Sequence, residues 1–474
     1  MRIFWSGAVL AAMLLLSACG GGGGGGSGSG TTVVVTNRAP VVAKAVAGQS
    51  ATVGTAYTFD ASQGGTTFTD ADGDSLTYSV TLTPSGGGLT TSGATISGTP
   101  NTAGTIAVSI TASDGKGGSA TGTFNLVVAP VSAAALGRPS LPAVPFAYAD
   151  ADISLPLQYT RAGPGTISGT DNTPGSNPTT NAGATLGRVL FYDKRLSLND
   201  TVSCASCHQQ TKGFSDSAKL SVGFKGGTTG RHAMGLANAR YYNRGRFFWD
   251  ERAATLEDQV VTPIQDTTEM GMNLTDLETK LAATDFYPAL FRDAFGTTQV
   301  TQQRIARALA QFVRSLSSYR SKYDSAFVNG TPNFAATFTA QEERGRQIFT
   351  GAARCDGCHN TDAHISPNVF NNGLDATVTD VGAGNGRFKA PSLRNIAVRA
   401  PFMHDGRFAT LRDVVEHYDH GVQDSPNLAP ALQDNTGAPR RLNLTEADKL
   451  ALLAFLGTLT DNALMQDAKF SNPF

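Results

Sequence analysis

Two short runs carry the chemistry. Cys204-Ala205-Ser206-Cys207-His208 and Cys355-Asp356-Gly357-Cys358-His359 each set a pair of thiols three positions apart, with an imidazole directly after the second. In the pattern C-x-x-C-H the thiols add to the vinyl groups of a c-type haem, and the His is placed under the iron as an axial ligand. Two Cys pairs would also suit a tetrahedral zinc ion, or two disulfides. Neither alternative explains why His follows directly both times.

The flanking sequence repeats. Gly187-Arg188-Val189-Leu190-Phe191 precedes the first motif and Gly345-Arg346-Gln347-Ile348-Phe349 the second. The run from Ala308 to Leu316 matches that from Ala451 to Leu459 in hydrophobic phase. Thr339 with Glu342 forms a capping box, and Thr445 with Asp448 is a similar helix start. The spacing predicts two helical modules, each with a leading helix, a haem motif and a closing amphipathic helix.

The rest of the chain is of other kinds. It has 474 residues, too many for one ordinary core, and 37 Lys+Arg against 38 Asp+Glu, which excludes a nucleic-acid binder driven by bulk charge. Five Cys are too few for a disulfide scaffold of this length. Ile3 to Leu16 is an apolar run behind Arg2, too short for a comfortable span. It ends in Leu16-Ser17-Ala18-Cys19, which resembles the lipobox of bacterial lipoproteins, with Cys19 as the lipidated residue. That resemblance, with Gly20 after the Cys, implies export and a lipid anchor, the outer membrane favoured, facing the periplasm or cell surface. A Gly/Ser-rich tether follows. Period-two alternation in Thr55–Phe59, Leu76–Leu82, Ile106–Ile110 and Phe124–Val128 predicts a small antiparallel sandwich. Its Asn37–Pro40, Asp70–Asp74, Ile96–Pro100 and Ser113–Gly115 runs resemble cadherin-like, Ig-type modules of bacterial surface proteins. Asp70, Asp72 and Asp74 offer oxygen ligands to Ca²⁺, with a solvated acidic turn as the alternative.

From about Leu186 to Leu459 the chain resembles the bacterial di-haem cytochrome c peroxidases, a family that includes the MauG-like enzymes that mature methylamine dehydrogenase. The resemblance is carried by Phe247-Phe248-Trp249-Asp250-Glu251-Arg252-Ala253, Leu256, Gln259, Pro263 and Glu269-Met270. It continues in Pro391–Asn395 and Ala400–Gly406. One departure is Glu251, where the family usually has Gly. The resemblance implies that Glu269 and Gln259 act on peroxide at an open first haem, held by Cys204, Cys207 and His208. His232 is expected to be a packed, hydrogen-bonded residue and not a distal ligand, because the loop from Phe214 to Gly230 contains no His. Trp249 is implied between the haems, with core packing as the bland alternative. The second haem, held by Cys355, Cys358 and His359, is implied to receive electrons. Counting fourteen residues on from His404 reaches Tyr418 as its distal ligand. The alternative is a core aromatic at Tyr418, with His417, His420 or Met403 as ligand. His404 is implied to bond a haem propionate. A Ca²⁺ between the modules would use the Asn238 side chain and the carbonyls of Arg399 and Pro401.

The expected architecture is multidomain: a small all-β Ig/cadherin-like sandwich followed by two tandem all-α cytochrome c-type domains. The boundaries are 1–19 signal, 20–36 tether, 37–130 β domain, 131–182 linker or wrap, 183–335 peroxidatic domain and 336–474 electron-transfer domain. The implied function is reduction of hydrogen peroxide to water, with electrons from a small c-type cytochrome or cupredoxin. One alternative is MauG-like oxidation of a protein or organic substrate through a high-valent di-haem state. Another is a non-catalytic electron-transfer or surface-contact protein. The family also brings in a homodimer, for which the sequence holds no interface signal.

Overall fold

The computed structural model describes residues 36–129, 136–163 and 166–474. The signal segment with Cys19, and nearly all of the tether, lie outside the described residues. No helix among the described residues is long and apolar enough to cross a membrane.

The β module is a two-sheet sandwich. One sheet has the order β2(Gln49–Thr52)–β9(Ser119–Ala129)–β8(Gly104–Ser113)–β5(Thr77–Thr83), and the other β3(Tyr57–Asp60)–β7(Thr95–Gly98)–β6(Leu89–Ser92). Short β1(Val41–Val42) and β4(Phe68–Thr69) pair beside them. Alternate residues of β5, β8 and β9 face inward, and Val108, Ile110, Leu126 and Ile96 form the core. Each such side chain adds roughly 2 kcal/mol of burial. One expectation needs correcting: the sandwich is not wholly antiparallel, because β2 runs parallel to β9, with Gln49 opposite Leu126. Alternation reports which residues face inward but carries no information about strand direction.

In the first helical module α1 (Asn181–Tyr192) crosses α3 (Gln302–Ser315), with α2 (Leu256–Gln265) against α3. In the second, α4 (Ala340–Thr350) crosses α6 (Glu446–Gly457), with α5 (Leu411–Glu416) nearby. The repeated glycine marks both crossings. A Cβ at Gly187 would lie 2.0 Å from the Ala308 carbonyl, and one at Gly345 1.9 Å from the Ala451 carbonyl. Only glycine lets the helix backbones approach this closely. Phe312 and Phe455 pack at equivalent places on the two crossings, as their shared phase predicts. Thr180, Thr255, Thr301, Thr339, Thr410 and Thr445 cap the six helices in chain order.

Residues 136–163 and 166–180 wrap the first module. Buried Arg240 reaches back to Asp150 at 2.8 Å and also to Asp171, while Tyr159 and Ile167 are buried. Residues 464–470 return from the second module to the first: Leu464 and Phe470 enter its core, and Tyr192 donates to the Phe470 carbonyl at 2.6 Å. Local periodicity does not foresee this return.

Candidate functional site

At the first site Ser203 and Ser206 form a capping box around the turn Cys204–Cys207, which directs both thiols to one wall. His208 Nδ1 donates to the Phe214 carbonyl at 3.0 Å, leaving Nε2 for a metal. Burial lowers the His208 pKa and keeps the ring neutral, as ligation needs. Across a cavity of about 520 Å³ lie Gln259 and Pro263, one turn apart on α2, and Glu269 beyond the helix end. Cys204 joins Gln259 and Glu269 around an adjoining part of the cavity. Among the described residues neither the Gln259 amide nor the Glu269 carboxylate has a hydrogen-bond partner. Burial, with Asp266 nearby, raises the Glu269 pKa.

His232 is spent on packing, as expected. Its Nδ1 faces the Ala218 and Lys219 carbonyls at 3.1 and 3.2 Å, and its Nε2 meets Ser215 Oγ at 3.2 Å.

At the second site Cys355, Cys358 and His359 line a cavity of about 200 Å³ with Tyr418, Met403 and His404. His359 Nδ1 donates to the His364 carbonyl at 3.2 Å, which again frees Nε2, and burial lowers its pKa to about 4. Tyr418 sits on a π-helical turn, His417–Gly421, a local widening that re-aims a side chain. Burial pushes its hydroxyl up to about 12. Asn372 Nδ2 stands 3.5 Å from both the Tyr418 hydroxyl and Met403 Sδ. His417 donates from Nε2 to the Asn372 carbonyl at 3.0 Å, and His420 is exposed beside Glu416 and Asp419. Of the four distal candidates, only Tyr418 and Met403 line the cavity. His404 stacks on Phe388 at 3.7 Å with its Nε2 3.8 Å from Asp380.

Trp249 lines both cavities and donates from Nε1 to the His232 carbonyl at 2.8 Å. Beside it Lys389 also lines both, on β11 (Phe388–Lys389), which pairs with β10 (Val369–Phe370). The Lys389 Nζ lies 3.7 Å from the Tyr242 ring centre and donates to the Arg246 carbonyl at 3.3 Å. Glu251 holds a positive φ of 56°, a region that suits glycine. It is nevertheless buried, bonded to the Tyr242 hydroxyl and paired with Arg244 at 2.9 Å. It also supplies counter-charge to Lys389.

The calcium candidates are engaged elsewhere in part. Asn238 Oδ1 accepts from the Ser318 N–H at 2.8 Å. Asp70, Asp72 and Asp74 lie together, but Lys116 Nζ sits 2.5 Å from Asp74. Sequence reasoning passed over the cavity-lining Lys389 and Asn372, and named Arg399 for its carbonyl but not for its side chain. The Arg399 guanidinium is buried, donates to the Ser392 and Arg394 carbonyls at 2.7 and 3.0 Å, and is lowered to about 10 by burial. A charged residue in an otherwise apolar Ile396–Phe402 stretch was its only signal.

Paired cavities, each with two thiols and a Nδ1-anchored His on one wall, define a di-haem c-type protein. The donor sets fit the group on their own chemistry. A family model described as di-haem cytochrome c peroxidase matches residues 181–333, and one described as putative Ig domain matches residues 39–129. The chain is 33% identical over 297 residues to the methylamine utilization protein MauG of Methylorubrum extorquens, covering 60% of this chain and 80% of that protein. It is 32% identical over 291 residues to the cytochrome c551 peroxidase of Nitrosomonas europaea, covering 58% and 79%. The crystal structure of a MauG-like protein associated with microbial copper homeostasis aligns with a TM-score of 0.56 at 32% identity, over 64% of this chain and 96% of that one. The chain belongs to the di-haem cytochrome c peroxidase family.

Proposed function

We propose that the protein reduces hydrogen peroxide to water at the first site, using electrons received at the second. The observation that carries this is the placement of unpartnered Glu269 and Gln259 across one cavity from His208. When bound, haem supplies redox-active iron, with a coordination position for peroxide at the first site and a one-electron relay at the second. His208 and His359 would hold the two irons through Nε2. Glu269 takes a proton from one peroxide oxygen and returns it to the departing oxygen. The Gln259 amide orients the peroxide by donating to it. Trp249 lines both cavities and carries the electron between them. Two electrons and two protons convert each peroxide to two waters.

Tyr418 would hold the iron of the second haem, and His404 would bond its propionate. A phenolate ligand stabilises ferric iron. That favours a second reading, peroxide-driven oxidation of a protein or organic substrate. A purely non-catalytic relay has no use for a raised, unpartnered carboxylate at Glu269. The donor is a small c-type cytochrome or cupredoxin, the protein is lipid-anchored through Cys19, and Ca²⁺ binds at Asp70–Asp74 or beside Asn238, Arg399 and Pro401.

The test is a peroxide assay on the haem-loaded chain with reduced cytochrome c as donor. Rapid donor oxidation supports the peroxidase. Peroxide consumption without donor oxidation favours the second reading, and no consumption overturns both.

A further inference from the structure

The β module touches the first helical module next to the peroxide side of the first site. The contact runs through one side-chain amide. Asn199 Nδ2 has two hydrogens: it donates one to the Asn101 carbonyl of the β module and the other to the Phe224 carbonyl at 2.7 Å. Its Oδ1 accepts from Thr201 Oγ1 at 2.6 Å, so the amide is fully used. Buried Phe224 in turn donates its N–H to the Glu269 carbonyl at 2.9 Å. Leu198, beside Asn199, donates to the Met270 carbonyl at 2.9 Å. Residues 198–199 and 222–227 therefore flank the stretch that carries Glu269.

The carbonyl offered by the β module is itself fixed. Asn101 donates its N–H to the Gly87 carbonyl at 2.9 Å, and Gly54 donates to the neighbouring Pro100 carbonyl at 2.8 Å. A second contact is independent of Asn199. At Gly226, with φ of 83°, a Cβ would lie 2.7 Å from Asn101 Nδ2. A Cβ there meets only the far end of the Asn101 side chain, so the loop and the module pass within van der Waals reach of each other.

We propose that the β module is an intramolecular clamp on the first site: Asn101 holds Asn199, Asn199 holds Phe224, and Phe224 fixes the backbone of Glu269. Asn199 is a positioning residue. The proposal rests on Glu269 as the acid–base group. Its carboxylate has no hydrogen-bond partner among the described residues, so its placement depends on how firmly its backbone is held. A module serving only as a spacer has no need to present a carbonyl at this spot.

The test uses the full haem-loaded chain. Asn199→Asp replaces the donor by a carboxylate facing two carbonyls. Expected are about tenfold faster hydrogen exchange at the Phe224 amide and about tenfold slower reaction of the first haem with peroxide, with the second haem's spectrum unchanged. Asn199→Ala removes the same donor without adding a charge, and is expected to act in the same direction. It carries the test if Asn199→Asp does not load haem. Unchanged Phe224 exchange in both variants overturns the clamp, as does faster exchange with a wild-type peroxide rate. In Glu269→Gln the Phe224 amide is expected to stay slow, because the clamp acts on backbone, and a fast amide there overturns it. Turnover of Glu269→Gln reports on the acid–base assignment alone, so the two failures are told apart.

Discussion

The Lys389 backbone N–H donates to the Trp249 carbonyl at 2.9 Å, which ties a strand of the second module to the aromatic residue between the two cavities. The ring that bridges the sites is therefore held by both modules at once: by Lys389 at its backbone and by the His232 carbonyl at Nε1. Trp249→Phe keeps the backbone bond and loses the indole one, at a cost of about 1 kcal/mol. Both haem spectra should be retained, while electron transfer from the second haem to the first slows. Stopped-flow oxidation of pre-reduced protein by peroxide measures this, and a wild-type rate would remove Trp249 from the route.

Burial lowers the Lys389 pKa to about 7, against about 10.4 in an unfolded chain. The folded protein thus binds fewer protons than the unfolded chain between these values. The stability linked to this group is complete above about pH 10 and is lost as pH falls toward 7. Lys389→Met removes that dependence. The stability of the native chain relative to the variant should climb from pH 7 to pH 9 in thermal scans. A flat difference would mean that Lys389 stays charged throughout, supported by Glu251.

Glu269→Gln should slow the peroxide reaction by about 10²–10⁴-fold and leave both haems attached. The Glu269 pKa is raised, so the carboxylate is lost as pH falls through a value above the ordinary Glu range. The native rate should drop on that acid limb, and the limb should vanish in the variant. A pH–rate profile of the ferric protein reads both.

If Tyr418 holds the second iron as proposed, Tyr418→Phe should change that haem's spectrum and raise its potential, since Met403 is the other donor lining that cavity. Met403→Leu should change little. The opposite pair of results would make Met403 the ligand.

The local parts of this architecture were legible because they are written in neighbouring residues. C-x-x-C-H names its cofactor, Thr339 and Thr445 announce their helices, and the paired glycines at 187 and 345 mark the same crossing twice. Trp249, Gln259 and Glu269 were legible through their resemblance to a family and not through any periodicity. What stayed hidden depends on distant residues meeting. The β2–β9 pairing, the Asn372 amide between Tyr418 and Met403, and the bridge at Asn199 all join positions tens of residues apart. Glu251 shows a third kind of miss: a glycine-type backbone was foreseeable, but the buried partners that let a glutamate adopt it were not.

The return of residues 464–470 into the first module has a consequence for biogenesis. Phe470 packs beside Phe214 and Phe312, with ring centres 6.5 and 6.3 Å away, and Phe214 supplies the carbonyl that anchors His208. The first-made haem pocket is thus the last to be finished. Its wall is completed only by residues near 470, which come from beyond the second module's own haem motif.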